Sequence, residues 1–284
     1  MNPVKVIAEI GVNHQGSLDM AKRLVDAAQD AGCDYVKFQK RDPAQSVHPT
    51  KHYEMRATPF GTMTRIDYRR KMEFSEADIE ELARYCDGLG QKWFFSVWDA
   101  PSLLIALHYQ PEPIVKLPSA RLTDLGLIQA AAERCDLLIL STGMSTMAEV
   151  EDGVAAAIQP KGHHPVIMHC HSQYPIECPE ETNLRVIRTF RAAFPRSQIG
   201  WSGHERDGFL TSLTAAGLDA DWIERHITLD RTLPGSDHAA SLEPKAIKQL
   251  VDYLRLQRRI MGTGNKVFWE SEMPAKRKLR EGSV

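Results

Sequence analysis

Ten polar side chains interrupt otherwise apolar runs of this chain: Glu9, Lys37, Gln39, Ser96, Lys116, Ser141, His169, Ser202, Glu224 and His226. Ser119, His171 and His204 stand just beyond such runs. Within a strand, residues two apart share a face. Lys37 and Gln39 therefore point the same way, as do Ser202 and His204, and Glu224 and His226. Two lysines and several hydroxyls converging on one rim suit a phosphorylated, carboxylated substrate. Lysine supplies a point charge, while hydroxyls and backbone N–H groups supply directional donors. His204 and His226 can hold one divalent ion through neutral imidazoles, leaving positions open for water or substrate. His169 and His171 form a competing pair, and the adjacent His163 and His164 read as a solvated turn. A single strand-end Ser or His is usually a surface group or a satisfied core polar; the set taken together is not.

The elements that must position these residues alternate along the chain. Strand candidates lie at 6–11, 35–39, 93–97, 113–117, 137–142, 165–170, 197–203 and 221–227. Segments of helical period separate them, as at 18–32 and 76–90, and the last, 244–262, ends on Gly262. The strand runs are nearly continuous in apolar residues, as in a parallel sheet covered on its faces. Eight strands, each followed by a helix, predict a (β/α)₈ TIM barrel, whose active site is built on the C-terminal rim of its strands. An open doubly wound sheet is the rival, but no G-x-G-x-x-G opens a helix after the first strand. The interval 40–74, with Pro43, Pro49, Pro59 and TPFGTMT, is too long for a simple connection and reads as a functional loop over the barrel mouth.

Composition sets the outer bounds. With 284 residues, 43% hydrophobic and 25% charged, the chain fits a globular protein. Thirty-five Lys and Arg against 37 Asp and Glu give a net charge of -2, so no global field favours nucleic acid or an acidic membrane. No apolar run reaches the roughly 18 residues needed to span a bilayer, and the N-terminus lacks a signal-peptide shape. Five cysteines without C-x-x-C spacing read as packed, reduced thiols in a cytoplasmic protein.

The stretches AEIGVNHQGS (8–17), VKFQK (36–40), STGMSTM (141–147), QYP (173–175), GWSGHE (200–205), IERHITLDRTLPGSDHAASLEP (223–244) and SEMPAKRKL (271–279) resemble the sialic acid synthase family. Members condense phosphoenolpyruvate with an aldose such as N-acetylmannosamine. The resemblance implies a (β/α)₈ barrel using Mn²⁺, Mg²⁺ or a similar ion, with the metal-binding histidines falling on His204 and His226. It places phosphoenolpyruvate at Lys37, Lys116, Ser119, Ser141 and Ser202, with Gln39, Ser96 and Ser172 around it. Tyr174 and Asp237 match residues that contact the acceptor sugar. Gln15 sits where bacterial members often have Glu, although animal-type members also carry NHQG.

Two departures fall on the acceptor side. Relatives usually carry an acidic residue where this chain has Arg121, and guanidinium donates hydrogen bonds where a carboxylate accepts them. Full-length members continue into a small antifreeze-like domain. Here the expectation is a barrel over 1–270 and a solvated tail over 271–284. The expected activity is therefore a carbon–carbon bond-forming synthase making a 3-deoxy-2-keto sugar acid. Its acceptor is N-acetylmannosamine-like or a phosphorylated or acidic relative, contacted by Arg121 unless that side chain turns to solvent. Glu224 or Asp237 would manage the proton. The alternatives are a metal-dependent aldolase or isomerase, or an inactive barrel serving as a binding subunit in a glycan pathway. A homodimer is also expected, from the family's habit.

Overall fold

The structure, a computed structural model, describes residues 3–206 and 208–281. Eight parallel strands close into a barrel: β1 (Lys5–Gly11), β2 (Tyr35–Lys40), β5 (Trp93–Val97), β6 (Ile114–Leu117), β7 (Leu137–Ser141), β8 (Val166–Cys170), β9 (Ile199–Gly203) and β10 (Trp222–His226). β10 pairs with β1 to complete the ring. The predicted TIM barrel is the observed fold, and the strand centres lie where the apolar runs placed them. Helices Leu18–Ala31, Glu76–Leu89, Ala100–Tyr109, Leu125–Ala132, Met147–Ile158, Val186–Ala193, Leu210–Gly217 and Pro244–Met261 follow the strands. Their starts are encoded locally. Ser17 accepts the Met20 N–H, and reciprocal Ser75–Asp78 and Thr146–Glu149 pairs cap two further helices. No helix among the described residues is long and apolar enough to cross a membrane.

The two-residue period of the strands builds the barrel interior in layers. Ile7, Tyr35, Phe94, Ile114, Ile139, Met168 and Trp222 form an apolar plug. Two residues further along the same strands come Glu9, Lys37, Ser96, Lys116, Ser141, Cys170 and Glu224. A polar ring thus rests on the plug, one step of roughly 6.6 Å higher at 3.3 Å per residue. β9 contributes Gly200 at plug level because a Cβ there would lie 2.2 Å from Met168 Sδ and 2.9 Å from Trp222 Cβ. Residues of the opposite parity face the helices. Arg225, wholly buried, pairs there with Glu205 and donates to the Gly208 carbonyl at 2.8 Å.

The interval 40–74 is more ordered than a long loop suggests. It holds helix Pro43–Ser46, an antiparallel hairpin of β3 (Met55–Thr58) and β4 (Gly61–Thr64), and helix Arg65–Met72. The turn locks itself, since Thr58 Oγ1 donates to the Gly61 carbonyl at 2.6 Å and accepts the Phe60 N–H at 3.1 Å. Glu73 ties its two ends together, accepting from Lys40 Nζ and from the Arg41 N–H, each at 3.2 Å. At the other end of the chain, short helical turns run from Glu270 to Glu281, where a solvated tail was expected. They are largely exposed, and residues 282–284 of that tail lie outside the described residues.

The N-terminal NHQG stretch clamps the loop after β10. Asn13 Nδ2 donates to the Ile227 carbonyl at 2.8 Å and to Ser241 Oγ at 2.9 Å, and Gln15 Nε2 donates to the Pro234 carbonyl at 2.7 Å. His14, buried against Phe74 with ring centroids 4.2 Å apart, accepts the Gly16 N–H. Burial pulls its pKa down to about 3. An unfolded histidine titrates near 6.5, so between these values only the unfolded chain takes the proton. Stability is therefore full above pH 6.5 and drains as pH falls, at ~1.4 kcal/mol per unit. Between pH 6.5 and 5 this single group costs about 2 kcal/mol. Calorimetric melts should show a shallower fall in Tm from pH 7 to 5 for His14→Gln than for the unaltered protein. Identical falls would contradict the assignment.

Candidate active site

The polar ring opens into an inner cavity of about 200 Å³ at the C-terminal mouth of the barrel. Of the residues expected to form a site, Lys37, Gln39, Ser96, Lys116, Ser119, Ser141, Ser172, Tyr174, Ser202, His204, Glu224 and His226 line it, with Glu9 beside them. Asp237 lines a second cavity of about 570 Å³ immediately outside. Gln39, Trp98 and Tyr174 border both, so the two are adjacent. Arg121 lines neither cavity. It sits on the turn Ser119–Arg121, its guanidinium 3.7 Å from Asp124.

Four buried charges dominate the floor. Lys37 Nζ lies 2.8 Å from Glu9 Oε2 and 3.4 Å from Glu224 Oε1, while Lys116 Nζ lies 2.5 Å from the same Glu224 oxygen. Ser202 Oγ also donates to that oxygen at 3.1 Å. Burial alone would push Glu224 upward, but the ammonium groups of Lys116 and Lys37 outweigh it and hold the carboxyl well below the usual range. Burial likewise opposes the charge on Lys37, yet Glu224 and Glu9 together raise its pKa. Lys116 goes the other way, lowered by burial and by Lys37 despite Glu224. Both lysines are thus preorganised point charges whose reorganisation cost was met on folding.

Hydroxyls and backbone ring one side of this floor. Ser119 Oγ accepts the Gly143 N–H at 3.0 Å and lies 3.2 Å from Cys170 Sγ. A Cβ on Gly143 would stand 2.2 Å from Ser172 Oγ, so only glycine lets the loop after β7 approach this closely. Ser141 Oγ is buried without a hydrogen-bond partner, a donor left over for an anion.

The histidine pair lies on the opposite side, with ring centroids 5.5 Å apart. His204 Nδ1 sits 2.6 Å from the His171 carbonyl, which fixes Nδ1 as the N–H and leaves the Nε2 lone pair free. Burial and the neighbouring His226 hold the His204 pKa well below its ordinary value, so the ring is neutral. His226 Nδ1 is buried without a hydrogen-bond partner, 3.7 Å from Asp237 Oδ2. Tyr174 packs on His204 at 3.9 Å between ring centroids. Two imidazoles, His204 oriented by a carbonyl and His226 with an orphaned nitrogen, fit a divalent ion that takes its remaining ligands from water or substrate. Among the described residues no group of three or more His, Cys, Asp or Glu could hold a metal.

The competing histidines fall elsewhere. His169 has the outward parity: it bonds the Thr182 carbonyl at 2.8 Å and packs on Phe190 and Trp201. His171 accepts the Gln173 N–H and faces Glu181 at 3.4 Å. Of the pair expected in a solvated turn, His163 is exposed and His164 half-buried, both in the irregular connection before β8. Sequence reasoning missed Arg41, Arg56 and Arg69, which line the outer cavity. Arg41 follows Gln39 by two and shares its parity, a readable signal; Arg56 and Arg69 carry none, because a hairpin and a helix outside the barrel bring them in.

A model of the NeuB family matches residues 24–266. The N-acetylneuraminate-9-phosphate synthase of Homo sapiens is 35% identical over 292 residues, taking in 100% of this chain and 78% of the human one. The N,N'-diacetyllegionaminic acid synthase of Legionella pneumophila is 33% identical, across 97% of this chain and 78% of that one. Among solved structures, N-acetylneuraminic acid (sialic acid) synthetase from Leptospira borgpetersenii in complex with citrate matches with a TM-score of 0.84. It is 29% identical, and the match covers 99% of this chain and 93% of that one.

Proposed function

The chain belongs to the NeuB family, and from that premise we propose that it condenses phosphoenolpyruvate with an aldose to give a 3-deoxy-2-keto sugar acid and inorganic phosphate. It is an enzyme of the transferase class, as its named relatives are synthases of sialic and legionaminic acids. The observation that carries the reading is the pair of buried lysines beside the oriented histidine pair in one cavity.

In the balanced reaction, C3 of phosphoenolpyruvate bonds to the aldehyde carbon, water adds its oxygen at C2, and the C2–O bond to phosphate breaks. Lys37 and Lys116 hold the carboxylate and phosphate against the polar ring, where Ser119, Ser141 and the neighbouring hydroxyls supply directional donors. The apolar plug beneath excludes water from that side of the donor. His204 and His226 would hold a divalent ion such as Mn²⁺ or Mg²⁺, which supplies Lewis-acid polarisation of the aldehyde oxygen. Tyr174, which borders both cavities, and Asp237, which lines the outer one, orient the aldose. Glu224 is locked as a carboxylate by two ammonium groups, so it serves as a fixed countercharge. Asp237, 3.7 Å from His226 and facing the outer cavity, is placed to take the proton from the attacking water.

Incubation with phosphoenolpyruvate, Mn²⁺ and a panel of aldoses should release inorganic phosphate only when the acceptor is present. An aldolase or isomerase would turn over without releasing it. A binding subunit would release none with any acceptor and would sink the proposal. The relatives' names differ in the sugar acid made and in its phosphorylation, with a phosphate on the human product and none on the Legionella product.

A further inference from the structure

The outer cavity is built of charge as well as shape. Among its charged lining residues three are arginines, Arg41, Arg56 and Arg69, and one is a carboxylate, Asp237. The balance is two positive charges, whereas on the inner floor Lys37 and Lys116 are matched by Glu9 and Glu224. Glu73, behind the wall, lies 3.4 Å from Arg41 but also pairs with Lys40, so it cancels no more than one of them. Arg41 is buried, held by the Gln39 amide and stacked over Trp98 at 4.5 Å. Arg56 lies over the Tyr68 ring at 4.9 Å, which leaves the edge of its guanidinium to donate. Burial first, and then the charges of Arg41 and Arg56, pull Arg69 down to about 10, against weaker opposition from Tyr68 and Glu73. Arginine's planar fork matches the oxygens of a phosphate, and two to three of them around one dianion is a common solution.

We propose that Arg41, Arg56 and Arg69 bind a phosphate monoester carried by the acceptor aldose, so that the preferred acceptor is a sugar phosphate. The proposal rests on the synthase reading above for the identity of the acceptor. The hairpin β3–β4 and helix Arg65–Met72 exist, on this view, to bring two of the three cations to the mouth of the barrel. Arg121, which sequence comparison marked for the same task, faces Asp124 and leaves it to them.

Binding separates this proposal from the synthase reading. N-acetylmannosamine, its 6-phosphate, glucose 6-phosphate and inorganic phosphate would be titrated calorimetrically into the protein at fixed ionic strength. Tighter binding of a phosphate ester than of its neutral parent is expected, by tenfold or more. Arg56→Gln and Arg69→Gln should each weaken ester binding about tenfold, by ~1.4 kcal/mol, and leave the neutral sugar within twofold. Both side chains lie outside the barrel and are partly exposed, and a thermal melt confirms folding. Equal affinity for ester and parent, ester binding that survives both substitutions, or no binding of any of these anions at millimolar concentration would each overturn the proposal. Loss of phosphoenolpyruvate affinity in the same variants would assign the arginines to the donor and overturn it too. Intact ester binding with no phosphate release from phosphoenolpyruvate would leave the arginine site standing and remove the synthase reading.

Discussion

Lys116→Met is expected to lower kcat/KM for phosphoenolpyruvate by at least a thousandfold. At ~1.4 kcal/mol per decade that is about 4 kcal/mol of lost stabilisation, the scale of removing one preorganised donor from a developing anion. The same change should cost stability. Glu224 would keep Lys37 at 3.4 Å and Ser202 at 3.1 Å but lose its 2.5 Å partner, and breaking a buried pair typically costs about 3–5 kcal/mol. The two effects separate in the double variant Lys116→Met/Glu224→Gln. Removing the stranded charge should restore most of the melting temperature while turnover stays low. If turnover returned with stability, Lys116 would be only the countercharge of Glu224. If the single variant kept kcat/KM within tenfold, the donor assignment would be wrong.

His226→Ala and His204→Ala are each expected to abolish measurable phosphate release, a loss of three decades or more. The readout independent of turnover is thermal. A ligand at 100 times its dissociation constant adds ~2.7 kcal/mol to stability, so Mn²⁺ should raise the Tm of the unaltered protein. That rise should vanish in both variants, and chelation should return the unaltered protein to the same baseline. His171 offers a control, because only its carbonyl touches His204 Nδ1. His171→Ala keeps that carbonyl and should keep the Mn²⁺ response. An undiminished response in His226→Ala would move the metal elsewhere.

Much of this site was legible in the sequence because strand parity is a physical rule. Lys37 with Gln39, and Glu224 with His226, face the interior as the two-residue period requires. The same rule excludes His169: it precedes the inward Cys170 by one, so it faces the helices. Parity weakens past the strand ends. His171, named only in a pair competing with His204 and His226, is turned by its loop toward Glu181, while His204 turns inward. Arg121 could not be placed for the same reason, since a single 3-10 turn decides whether its guanidinium faces the mouth or Asp124. Arg56 and Arg69 were out of reach altogether. Their approach depends on a hairpin of two four-residue strands, and the alternation in MRAT turns its apolar residues, Met55 and Ala57, to solvent.

The Glu73 staple across the neck of the 41–73 excursion has an evolutionary reading. Closing a long segment at its base makes its length inexpensive, because each doubling of a flexible loop adds only ~0.6 kcal/mol of closure entropy. The excursion can therefore diverge, lengthen or be exchanged while Lys40 and Glu73 keep their grip. On the functions proposed above, donor chemistry stays fixed on the barrel floor, and acceptor choice travels on a separable cassette. Transplanting that cassette between barrels of this kind, with its two anchoring residues, is then a direct route to moving preference from one sugar to another.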